Sequence, residues 1–187
     1  SDLAETILPK LRRSRLLANV EIIGKTDEEL KNVAVSGNLG DLTVEELLYA
    51  ANLNGVSKEK VYTFVTQKFP NDYRGWNNLG AYYYKNGQNS RAVQAFNKAA
   101  EVSSRAAEAN MNLALVSLAD GNTAKAEQLL GNAAGANSLG ETMGLMYIQK
   151  GEYNRAVQSF GNTVSNNAAL AQILTKNYSR AQQILDA

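Results

Sequence analysis

The 187-residue sequence contains no cysteine and no histidine. That excludes disulfides, cysteine nucleophiles, the serine–histidine–aspartate arrangement and zinc sites of the usual ligand set. A metal would need oxygen ligands alone, and no Asp-x-Asp-x-Asp-Gly loop is present. Neither a metal nor another cofactor is therefore expected. Excess charge is missing too: 19 Lys and Arg stand against 18 Asp and Glu, a net of +1. No basic run extends beyond Arg12, Arg13 and Arg15. The chain thus lacks the electrostatic footprint of a nucleic-acid binder. No apolar run approaches the ~20 residues of a membrane-spanning helix. What is present is 44% hydrophobic and 20% charged residues, enough to bury a core.

Two acidic clusters, Asp27-Glu28-Glu29 and Asp41 with Glu45 and Glu46, offer the paired carboxylates used in acid–base chemistry. Both sit where helices begin. Thr26 with Glu29, and Thr43 with Glu46, have capping-box spacing. Acidic side chains favour a first turn because its free amides and dipole attract negative charge. Residues 135–140 are glycine-rich but lack the Gly-Lys-Ser/Thr ending of a phosphate loop, and no strand is predicted before them. No set of nucleophile, base and orienting group can be drawn, so no enzymatic activity is expected.

The pattern that carries information lies at 76–99. Trp76, Leu79, Gly80 and Tyr83 share one face of a predicted helix, and Ala92, Phe96 and Ala99 share one face of the next, with a turn at Asn86-Gly87. Large residues fill the gap between the helices; Gly80 and Ala92 sit where they come closest. The unit recurs. Placing Ala92 over Ala126 brings Leu113, Ala114 and Ala133 onto the places of Leu79, Gly80 and Ala99. Asn110, Ser117 and Leu130 then replace Trp76, Tyr83 and Phe96. Ala156 follows at a shorter interval, with Gly144, Tyr147, Gly151 and Phe160 in register. The second unit is therefore trimmed, around 131–137. An earlier pair, 44–53 and 57–68, is closed by Phe69-Pro70, since proline cannot continue a helix. A last pair spans 168–175 and 178–185.

This spacing resembles the tetratricopeptide repeat, a helix-turn-helix unit of about 34 residues. The resemblance implies an all-α fold: a right-handed superhelix of about five hairpins over 42–187, with degenerate end units capping the stack. It also implies binding of a protein or peptide partner in a concave groove lined by the first helix of each pair. In register, the lining is Arg74, Asn77, Asn78, Ala81, Tyr84 and Lys85, then Met111, Asn112, Leu115 and Leu118, then Glu141, Leu145 and Ile148. Tyr83 faces the core, and Tyr84, about 100° further around, faces the groove. Asparagine amides offer a donor and an acceptor each for a peptide backbone. The apolar stripe beside them is either the binding surface or core covered by residues 1–35 folding back, because large exposed apolar patches need an occupant. In the second case the stack is a spacer or oligomerisation module. The carboxylate clamp of chaperone-binding repeats does not fit. Asn78 or Asn112 is available, but Leu47 and Ala81 stand where asparagine is needed, and Ser138 and Thr142 where cations are needed.

Residues 1–41 read differently. Alternation over 15–23, within a segment starting at Arg12, predicts a strand. A short helix is expected at 27–35 and a loop at 37–40. A lone strand needs a partner. Either it pairs with a second copy, giving a homodimer, or it belongs to a domain upstream of Ser1. The run from Leu8 to Arg15 is similar to the tail of OmpA-like domains, where an Arg-rich turn enters the last strand. The full order also resembles envelope lipoproteins of Bacteroides-type bacteria. It runs from the strand to Gly24-Lys25-Thr26-Asp27-Glu28-Glu29, then Glu45 to Ala51, then Phe69 to Arg74, then repeats. That implies a cell-envelope location, with a cytoplasmic one as the alternative; the abrupt opening at Ser1-Asp2-Leu3 predicts an upstream segment that carries the targeting signal. OmpA-like domains bind peptidoglycan through an Asp and an Arg, and no residues here match those positions.

Overall fold

A computed structural model describes residues 24–103 and 106–187. Among them are eleven α-helices, one 3-10 turn and no strand. The strand expected at 12–23 lies outside the described residues.

The first three helix starts have a local cause. In α1 (Asp27–Ser36) the Thr26 hydroxyl accepts from the Glu29 amide at 3.3 Å, and the Glu29 carboxylate accepts from the Thr26 amide at 2.8 Å. The same reciprocal cap opens α2 (Val44–Ala50) through Thr43 and Glu46. The acidic clusters thus serve first-turn amides left without partners inside the helix. Gly37 ends α1 in the left-handed region, at φ 86°. Within the loop that follows, a 3-10 turn at Leu39–Asp41 buries Leu39. The next helix, α3 (Lys58–Lys68), is capped by Ser57 and stops at Phe69, before Pro70.

The repeats follow as α4 (Tyr73–Lys85) with α5 (Asn89–Val102), α6 (Ala107–Ala119) with α7 (Thr123–Leu130), α8 (Leu139–Gln149) with α9 (Tyr153–Phe160), and α10 (Asn166–Leu174) with α11 (Tyr178–Leu185). With α2 and α3 they make five hairpins. Each helix packs on its hairpin partner, the second helix of a hairpin packs on the first helix of the next, and the first helices α6, α8 and α10 also touch in sequence. The trimming of the second unit falls on α7, which has 8 residues against 14 in α5. The connection from Gly131 to Ser138 enters α8 through Ser138 at φ 62°.

Close approach inside the hairpins rests on glycine. A Cβ on Gly80 would lie 2.6 Å from Phe96, and one on Gly144 would lie 2.6 Å from Phe160. Two larger cores result. One gathers Leu30, Leu39, Leu47, Val61, Leu79, Tyr83 and Phe96, so the residues before 42 bury into the same cluster as the first hairpins. The other gathers Leu118, Leu130, Met146, Tyr147, Phe160 and Ile184. Helix α6 feeds both: Leu113 and Val116 enter the first, Ala114 and Leu118 the second. Its substitutes for aromatics, Asn110 and Ser117, are buried and bond to carbonyls one turn back, at 3.1 and 2.8 Å.

Candidate binding groove

Helices α4, α6 and α8, each the first of its hairpin, carry the expected lining. Ala81, Tyr84 and Lys85 are exposed, Tyr84 by 39%. Arg74, Asn77, Asn78, Met111, Asn112, Leu115, Glu141, Leu145 and Ile148 are half-buried. Leu118 departs from the expectation: at 4% exposure it belongs to the second core, and Gln149 of α8 crosses to bond its carbonyl at 3.0 Å. Met111, Leu145 and Ile148 rest against that core with one side and leave the other accessible. Tyr83 is buried, as its position on the helix requires.

The polar groups of the groove are partly committed to one another. The Asn112 amide donates to Asn77 Oδ1 at 2.9 Å, tying α6 to α4. The Arg74 guanidinium bonds Asp72 at 2.7 Å and pairs with Glu45 of α2 at 2.8 Å. This holds the Asp72 carboxyl below the usual carboxylate range and raises the Arg74 pKa. Arg74 is thereby a strut between hairpins, with its charge already balanced.

Two exposed apolar residues missed by sequence reasoning share the register of the expected lining. Leu170 and Ile173 of α10 are 41% and 42% exposed. They repeat the spacing of Leu145 and Ile148, each displaced along the chain by the same interval. The apolar strip thus runs from Leu115 through Leu145 and Ile148 to Leu170 and Ile173. Behind the groove, two hairpins carry the same clasp. Arg91 donates to the Tyr83 hydroxyl at 2.6 Å with its guanidinium carbon 3.9 Å from the ring centre; Arg155 does the same to Tyr147 at 2.8 and 4.2 Å.

The described residues hold no cluster of His, Cys, Asp or Glu suited to a metal ion. None of their helices is long and apolar enough to cross a membrane. The lining is made of amides, a few charged side chains, Tyr84 and aliphatic side chains.

Comparison with known proteins agrees with this architecture. A tetratricopeptide-repeat family model matches residues 59–103 and 77–139. A tetratricopeptide repeat protein from Parabacteroides merdae is similar in structure, with a TM-score of 0.63 at 16% identity, over 86% of this chain and 70% of that one. MamA is similar with a TM-score of 0.54 at 18% identity, over 88% and 97% of the two chains. A thermophilic repeat protein of Thermus thermophilus gives 0.52 at 18% identity, over 85% and 82%. At these identities the likeness is one of fold. No curated protein matches the sequence. The fold shared with these proteins is a stack of helical hairpins, a fold that in general serves as a protein-interaction scaffold.

Proposed function

We propose that this chain binds an extended segment of a protein partner along the concave face of its repeat stack, as part of a larger cell-envelope protein. The observation that carries the binding role is the strip Leu115, Leu145, Ile148, Leu170 and Ile173, aliphatic side chains left partly accessible on consecutive first helices. Such a strip on a folded protein calls for an occupant. A preformed groove also spares the ordering entropy a flexible site would incur. The envelope placement is supported by the order of motifs along the sequence.

Affinity capture from envelope extract tests the reading with two baits. One is this chain; the other carries Tyr84→Ala, Leu115→Glu and Leu145→Glu and is checked for unchanged helicity. A protein held by the first and released by the second supports groove binding. Identical captures, or none, would end it.

A second reading has its own observation. Val164, Tyr178 and Leu185, near the end of the stack, are largely exposed apolar side chains. They favour self-association there, and sedimentation velocity across a concentration series would display it as a concentration-dependent dimer.

A further inference from the structure

The groove is chemically uneven along its length. Beside the C-terminal end of α4, a depression of about 470 Å³ is walled by Asn52, Lys58, Tyr62, Asn78 and Lys85, and none of its lining residues is acidic. Lys58 donates to the neutral Asn52 Oδ1 at 3.2 Å. Among the described residues neither Lys58 nor Lys85 forms an ion pair, whereas Arg74 on the same helix as Lys85 has two. The Asn52 amide donates to the Leu48 carbonyl at 3.0 Å, so the wall presents positive charge with no carboxylate beside it. A carboxylate arriving there gains charge-assisted hydrogen bonds without displacing an existing anion. Concave walls also focus such a field outward.

The far end differs. Leu145, Ile148, Leu170 and Ile173 supply only aliphatic surface. The acid in the expected lining, Glu141, sits in the first turn of α8, on the opposite edge of the groove from Lys85 in the last turn of α4.

Resting on the groove-binding reading above, we infer that the bound segment is bipartite: an acidic side chain at Lys58 and Lys85, and aliphatic side chains over α8 and α10. The spacing follows from packing. Neighbouring helices lie about 8–10 Å apart. From α4 to α8 is two steps and to α10 three, or roughly 16–30 Å. An extended chain covers that in about five to nine residues at ~3.3 Å each.

The test is selection from a display library of random peptides flanked by fixed sequence, so that only side-chain carboxylates vary. The selected binders lose at least tenfold in affinity for the Leu145→Glu, Leu170→Glu variant. They are enriched in Asp or Glu at the stated distance from Leu, Ile or Val. They weaken about tenfold against Lys58→Ala, Lys85→Ala, the scale of one lost charged hydrogen bond. A second selection on Lys58→Glu, Lys85→Glu exchanges the acidic preference for Lys or Arg. Binders that depend on Leu145 but lack acidic enrichment and ignore the lysine variants overturn this inference and leave groove binding standing. Binders that ignore the leucine variant as well, or no binders, remove both. Lys58 and Lys85 are exposed, so equal helicity and melting temperature for the lysine variants exclude a folding effect.

Discussion

Replacing Gly80 with alanine sets two known effects against each other. Gly80 lies well inside the 13 residues of α4. At an open site, Gly→Ala in a helix interior stabilises by about 0.8–1 kcal/mol. Here the new methyl lands 2.6 Å from both Cδ1 and Cε1 of Phe96, a ring only 2% exposed. With no free volume to turn into, the ring and helix must separate, and overpacking of this sort costs about 1–3 kcal/mol. The net is a loss of roughly 0–2 kcal/mol, or up to about 8 °C in melting temperature for a chain of this size. Gly144→Ala meets Cε2 and Cζ of Phe160 at 2.6 Å and carries the same sign in the second core. Phe96→Leu opens room for the methyl, so Gly80→Ala is less harmful in that background, with a coupling of about 1 kcal/mol. Urea and thermal unfolding followed by circular dichroism on the four proteins measure the cycle. A rise in stability from Gly80→Ala alone, or additivity within ~0.5 kcal/mol, refutes the claim that glycine sets the helix separation.

Other substitutions probe caps, charges and clasps. Thr43→Ala removes the hydroxyl that accepts from the Glu46 amide and costs about 1 kcal/mol by chemical denaturation. The Glu46 carboxyl is held at about 2, chiefly by the Lys25 ammonium 2.8 Å away and then by the Thr43 amide. Because the folded value is depressed, its stabilisation is complete above the ordinary 4.5 and fades as pH falls towards 2. Glu46→Gln therefore flattens the melting-temperature profile between those limits, and an unchanged slope counts against the assignment. Tyr83→Phe keeps the ring under Arg91 but removes the hydroxyl acceptor; we expect a loss of about 0.5–1.5 kcal/mol by urea unfolding. Arg91→Lys loses the flat stacking surface as well and exceeds it.

How much of this was legible depended on whether a neighbour in sequence or in space decided the outcome. The capping boxes and the alternation of Gly80 with Phe96 are local, and they placed the helix starts and the hairpins. The shortened α7 was readable because the step from Ala126 to Ala156 is shorter than the step from Ala92 to Ala126. The end of α2 was not: the chain leaves the helix after Ala50, where Asn52 and Leu53 close i→i+3 turns and Gly55 takes φ 86°. Leu118 has the register of a groove residue, but its burial depends on how α8 crosses it. Leu170 and Ile173 were hidden because their unit carries Ala169 and Gln172 where Gly144 and Tyr147 mark the previous one. Without those markers the register was silent, although one common offset from Leu145 and Ile148 places both.

Helix α6 faces two ways, giving Leu113 and Val116 to one core and Ala114 and Leu118 to the other. A stack divided like this behaves as two domino rows sharing one tile. Each row can open by itself, since repeat stability is a sum of units and the seams between them. The unliganded protein then has a hinge in free energy at α6, with hydrogen exchange on either side governed by separate openings. A segment reaching from α4 to α10 lies across that seam and is lost if either row opens. Its binding free energy is added to both, so occupancy couples the two openings.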